Sequence, residues 1–115
     1  MKIEYDNKKV KTLFENFDLM GKEVGYELAR RIKLRFEQLR AAETFYDYLQ
    51  TRLGGPHRLS GDKNDLYAIN VTRNVRLIVK PNSEDLSHEG LMKCKIVIIK
   101  GVEDYHGSKT TTYIP

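Results

Sequence analysis

A single cysteine, Cys94, stands in this chain of 115 residues, so no internal disulfide can staple the fold. A reducing, cytoplasmic setting is the expectation, with the thiol packed as a small apolar group. No apolar run approaches the length of a membrane span, and Met1-Lys2-Ile3-Glu4 begins no signal-like apolar stretch, so no membrane association is expected. The glycine patterns of phosphate loops and dinucleotide sites are missing. No serine sits in a nucleophile-elbow context, which argues against acyl transfer. His57, Asp104, His106 and Cys94 are ligand types, but Cys-x-x-Cys and His-Glu-x-x-His spacings are absent, so neither a metal nor another cofactor is expected. Internal repeats and low-complexity segments are also missing.

What remains is the composition of a globular chain, with 40% hydrophobic and 31% charged residues. The length fits one domain, residues 1–115, with a core of its own. The net charge of +4 suits a polyanionic partner without demanding one.

Lys2–Tyr5 alternates apolar and polar side chains and reads as a first strand. Asp6 or Asn7 can cap a helix in which Val10, Leu13, Phe14 and Phe17 form one face, with a break expected at Gly21. A second helix is expected from Lys22 to Arg40, with Val24, Leu28, Ile32, Phe36 and Leu39 along its apolar stripe. Its six basic residues outnumber three acidic ones. A solvated face explains that imbalance better than a phosphate-binding surface does. Thr44-Phe45-Tyr46-Asp47 opens one more short helical turn, and Gly54-Gly55-Pro56 closes the helical half.

The second half reads as β. Strands are expected at His57–Ser60, Leu66–Val71 and Val75–Lys80, the last two joined by the turn Thr72-Arg73-Asn74. Pro81–Gly90 reads as a polar loop. Lys95–Lys100 is the next strand, its apolar run Val97-Ile98-Ile99 suited to burial on both faces. Ser108–Pro115 is a tail ordered only by late contacts. The pattern predicts an α+β domain of two layers: an N-terminal strand and two to three helices packed on a small antiparallel sheet.

Three features could carry chemistry. Asp104-Tyr105-His106 places a carboxylate, a phenol and an imidazole together after a rigid strand. Arg76 lies mid-strand on the face opposite the apolar set, where its planar donors suit either a phosphate clamp or a structural pair with a carboxylate such as Asp104. His57 follows a tight turn and can act as an acid or base if it meets the Asp104 cluster in space. Arg58, Lys63 and Arg73 would add a basic surface for single-stranded RNA if they converge with Arg76.

The order of these segments resembles the HigB branch of RelE-type toxins. His57-Arg58-Leu59-Ser60-Gly61-Asp62 is similar to a family His-x-Leu-x-Gly-Asp segment, Val75-Arg76-Leu77 to an aromatic-Arg-Leu strand, and Asp104-Tyr105-His106 to the family's final strand end. Leu39–Leu49 is similar to its second helix and the turn after it. This sequence has Val75 where an aromatic is common and Tyr67 where tryptophan is frequent, and its Pro81–Gly90 loop is longer and more acidic. The resemblance implies a bacterial toxin that cleaves mRNA, typically in the 70S ribosome, without a metal. It implies proton transfer and positioning shared by His57, Asp104, Tyr105 and His106, with charge stabilisation by Arg76. It also implies a helix-turn-helix antitoxin as partner. Alternatives are a ParE-like gyrase poison, which lacks the Asp-Tyr-His end, and a non-catalytic domain that binds RNA or protein.

Overall fold

The computed structural model describes residues 1–106 and 109–115, with the side chains of His106 and Lys109 left out. Its strands are β1 (Lys2–Tyr5), β2 (His57–Arg58), β3 (Tyr67–Asn70), β4 (Val75–Pro81), β5 (Ile96–His106) and β6 (Lys109–Ile114). Its helices are α1 (Lys8–Phe14), α2 (Phe17–Val24), α3 (Tyr26–Ala41), α4 (Phe45–Thr51) and α5 (His88–Met92). The α+β reading holds, with helices on one face of a sheet ordered β1-β5-β4-β3-β2 and β6 added beside β5. One pairing departs from the antiparallel expectation: β1 runs parallel to β5, Lys2 beside Ile96 and Tyr5 beside Ile99.

Local chemistry explains where the helices stop. The expected first helix divides in two because Asn16 caps a new one, its side chain accepting from the Leu19 N–H at 3.1 Å, just as Asn7 accepts from Val10 at 3.0 Å. Gly21 is not a break. It lies inside α2, where a Cβ would stand 2.3 Å from the Tyr26 ring, so glycine permits a close approach there. The break comes at Gly25, whose φ of 93° suits glycine. The helix expected within Lys22–Arg40 therefore begins at Tyr26. Thr44 caps α4 as expected, accepting from the Asp47 N–H at 3.1 Å. Within the expected polar loop, Ser87 caps the short α5, and Leu91 fills a core position.

The core lies between the helices and one face of the sheet. Val10, Leu13, Phe14, Ile32, Phe36, Phe45 and Tyr48 meet Tyr67, Ile69, Leu77, Val79, Val97 and Ile99 there. Phe45 sets its ring edge-on to Tyr67 at 4.9 Å between centroids. The buried Tyr48 hydroxyl donates to the Leu53 carbonyl at 2.6 Å, so its polar end is satisfied. Cys94 joins the core just before β5, where its thiol donates to the Ile96 carbonyl and burial pushes its pKa up.

The largest departure from expectation is the length of β5. It does not end at Lys100 but runs eleven residues, with β4 along one edge. The other edge is shared by β1 in its first half and β6 in its second. The tail thus becomes a strand. Ile114, opposite Val102, is fully buried in the core, and the Asn7 side chain donates to the Pro115 carbonyl at 2.9 Å. Replacing Ile114 by alanine is expected to cost about 2–5 kcal/mol in a urea titration. The exposed neighbour Tyr113→Ala should change stability by about 0.5 kcal/mol or less. Equal, small losses would mean that the tail is not part of the core.

Candidate functional site

The strand period of two decides which polar groups can meet. On β4, Val75, Leu77 and Val79 enter the core, so Arg76, Ile78 and Lys80 face outward. Residues directly opposite share a face, which places Asn70 of β3, Arg76 of β4 and Glu103 of β5 in one row on that outer face. Tyr105 follows Glu103 by two residues and joins the same face. His57, paired with Ala68, which is paired with Ile78, lies in the next row.

At the centre, the Arg76 guanidinium lies over the Tyr105 ring, 5.8 Å from its centroid, and Nη1 donates to the Arg73 carbonyl at 3.0 Å. Its Nε is buried and makes no hydrogen bond, as is Oδ1 of the adjacent Asn70. The Tyr105 hydroxyl hydrogen-bonds the Glu103 carboxylate. Burial, that hydrogen bond and the carboxylate charge push the phenol up to about 12, with Arg76 pulling the other way. Tyr105 therefore keeps its proton at neutral pH: it can donate but cannot serve as a base.

Beside Glu103 the face opens into a hollow of about 270 Å³. Lys63, Lys100 and Thr112 line it with Glu103, over Ile78 and Gly101. Lys100 is held by Asp6 at 2.7 Å.

The residues singled out in the sequence are thus partly gathered and partly separated. Arg76 and Tyr105 touch, and Lys63 lines the adjoining hollow. Asp104 sits opposite Val75, on the helix side of β5, its buried Oδ1 without a hydrogen-bond partner. Among the described residues no ion pair joins Arg76 to Asp104, so the structural pairing left open by the sequence does not form. His57 is exposed, with Nδ1 3.2 Å from the Gly55 carbonyl, and two strand spacings (about 10 Å) separate β2 from β4. Arg58 bonds the Asn64 carbonyl and, opposite Tyr67, takes the other face from His57. Arg73 is exposed in the hairpin turn. The His106 side chain lies outside the described residues.

The basic helix α3 spends its charge locally. Arg30 and Arg31 both bond Glu27, Arg40 bonds Glu37, and Arg35 donates to the Asn70 carbonyl at 2.9 Å. This agrees with a solvated face. Glu103 and Asn70 were missed in the sequence. A strand ended at Lys100 hides the fact that Glu103 and Tyr105 share a face; continuing the alternation to Tyr105 would have paired them.

No protein-family model matches the sequence, and no curated protein matches it. Solved structures do match in shape. A YoeB/ParE toxin from Agrobacterium tumefaciens has 11% identity and a TM-score of 0.53, over 92% of this chain and 99% of that one. A YoeB-YefM complex from Staphylococcus aureus has 13% identity and a TM-score of 0.53, over 92% of this chain and 97% of its own. The chain has the fold of these toxins.

A phenol whose folded-state pKa is raised favours folding below the unfolded value near 10, and that contribution is lost as pH climbs through the folded value. The absorbance titration of wild type minus Tyr105→Phe should show one phenol ionising near pH 12. In Glu103→Gln that step should move down toward 10, and stability should be lost earlier on the alkaline side. An unmoved step would rule out the Glu103 charge as a cause of the raised value.

Proposed function

We propose that the chain, as a single toxin domain, is a RelE-type toxin of the HigB kind, and that the outer face of its sheet cleaves mRNA on the ribosome. The observation that carries this reading is Arg76. Its guanidinium is stacked on Tyr105, on the outer face of the sheet beside a proton-donating phenol. A planar, always-charged group is suited to a phosphate, on which negative charge grows during attack.

In this reading the ribose 2′-hydroxyl attacks the neighbouring phosphate, leaving a cyclic phosphate and a 5′-hydroxyl, with no metal taking part. Arg76 steadies the phosphate and Tyr105 supplies a proton. His57, two strands away, is placed for an adjoining nucleotide, with Lys63 and Arg73 along the backbone path and Arg58 behind them. Asp104 acts from the opposite face of β5 by positioning that strand, and His106 completes the set that the family resemblance implies. A helix-turn-helix antitoxin is the proposed partner. The likeness to a chain solved as a YoeB-YefM complex supports a protein partner of some kind.

A second reading, poisoning of gyrase without RNA cleavage, is favoured by one observation, the likeness to a protein described as a YoeB/ParE toxin. Induced expression in a bacterium separates the two. Wild type should arrest growth with cut mRNA ending in cyclic phosphate. Arg76→Ala should lower cleavage by about 10²–10³-fold, and His106→Ala should relieve arrest, both with unchanged far-ultraviolet dichroism. Arrest with intact mRNA and broken DNA would favour gyrase poisoning. Loss of no phenotype in either variant would favour a non-catalytic binding domain.

A further inference from the structure

We propose that Glu103 is the general base of this site and that Tyr105 is its acid partner. The assignment rests on the ribonuclease reading and names a carboxylate that the family resemblance does not include. Position and chemistry together single out Glu103. A base must lie near the group that holds the phosphate and must be able to take a proton. Glu103 is directly opposite Arg76 across the β4–β5 pair and half-buried at the lip of the hollow.

The other described groups nearby do not meet both conditions. Arg76 is always charged and has no lone pair to offer. Tyr105 keeps its proton, and its hydroxyl is the donor to Glu103. Lys100 is engaged with Asp6, and Lys63 lies in the turn before β3, off the row that holds Arg76. Asp104 is on the other face of β5. His57 lies on β2, three strands from β5 in the sheet order.

The step balances within the pair. Glu103 takes the 2′-hydroxyl proton as the O2′–P bond forms. Tyr105 gives its proton to O5′ as the P–O5′ bond breaks, and Arg76, over the ring, steadies the phenolate. A phenol held near 12 is still a stronger acid than the alcohol it protonates. The proton on Glu103 then passes to Tyr105 through their hydrogen bond, and both return to their starting states. Oxidant, reductant and metal play no part. Among the described residues, the charged and titratable groups facing Glu103 are Arg76 from β4, Tyr105 and Lys100 from β5, and Lys63 from the turn before β3; β6 faces it with Thr112.

The test measures the pH–rate profile of purified wild type, Glu103→Gln and Tyr105→Phe on a short RNA, presented free and in a programmed ribosome. The RNA is made with oxygen or with sulfur at the 5′-bridging position. Glu103→Gln should cleave about 10²–10³-fold more slowly and lose the acid limb of the profile, equally with both leaving groups. Tyr105→Phe should be slow with oxygen and recover with sulfur, which departs without a proton. Melting temperatures of both variants near that of wild type separate chemistry from folding. Wild-type cleavage together with an unchanged profile in Glu103→Gln overturns this assignment alone. Failure of wild type to produce cyclic phosphate overturns the ribonuclease reading itself.

Discussion

Backbone hydrogen bonding along both edges of β5 holds the two halves of the chain together. One edge is filled by β4 throughout, the other first by β1 and then by β6. Residues from the first and last segments thereby become neighbours. The arrangement requires glycine at 101, because a Cβ there would stand 2.2 Å from the Ile114 carbonyl oxygen. A register irregularity between Ile78 and Val79 on β4 falls in the same region, where β4 pairs skip Lys100. That extra residue keeps Val97 and Ile99 in the core on one side of the irregularity and Val102 in the core on the other.

The polar character of the outer face follows from this pairing. Burying one face of the sheet under the helices forces the alternate residues of β3, β4 and β5 to the other side. There Asn70, Arg76 and Glu103 line up in a row. Unsatisfied buried polar atoms are costly, about 1–3 kcal/mol each, and two of those found, on Asn70 and Arg76, are neighbours in this row. Three of the five basic side chains of α3, by contrast, pair with Glu27 or Glu37 along the helix, and Arg35 bonds a backbone carbonyl, so the density of basic residues in a sequence does not by itself mark an anion site.

Shape and sequence diverge widely in this chain. The likeness to toxin structures spans nearly the whole chain at 11% and 13% identity. A fold can persist at that distance because the core asks only for apolar groups of suitable volume at suitable spacing. Chemistry is more demanding, since each role needs one residue type at one place. The Arg76–Tyr105–Glu103 group therefore bears on function more directly than the shape does.

The sequence by itself determined the two-layer class, a first helix cap at Asp6 or Asn7, the cap at Thr44, the core stripe of α3 and the outward face of Arg76. Each depends on spacing within a few residues, and local hydrogen bonds and side-chain period suffice to set it. Tertiary structure alone decided the extent of β5, the parallel partner β1, the strand made from the tail, and the separation of Asp104 from Tyr105. Whether a strand continues depends on finding a backbone partner, and that partner, β6, owes its place to the burial of Ile114 against residues far away in the chain. Once β5 runs on, the period of two sends neighbours in sequence to opposite faces, and the carboxylate beside Tyr105 becomes Glu103.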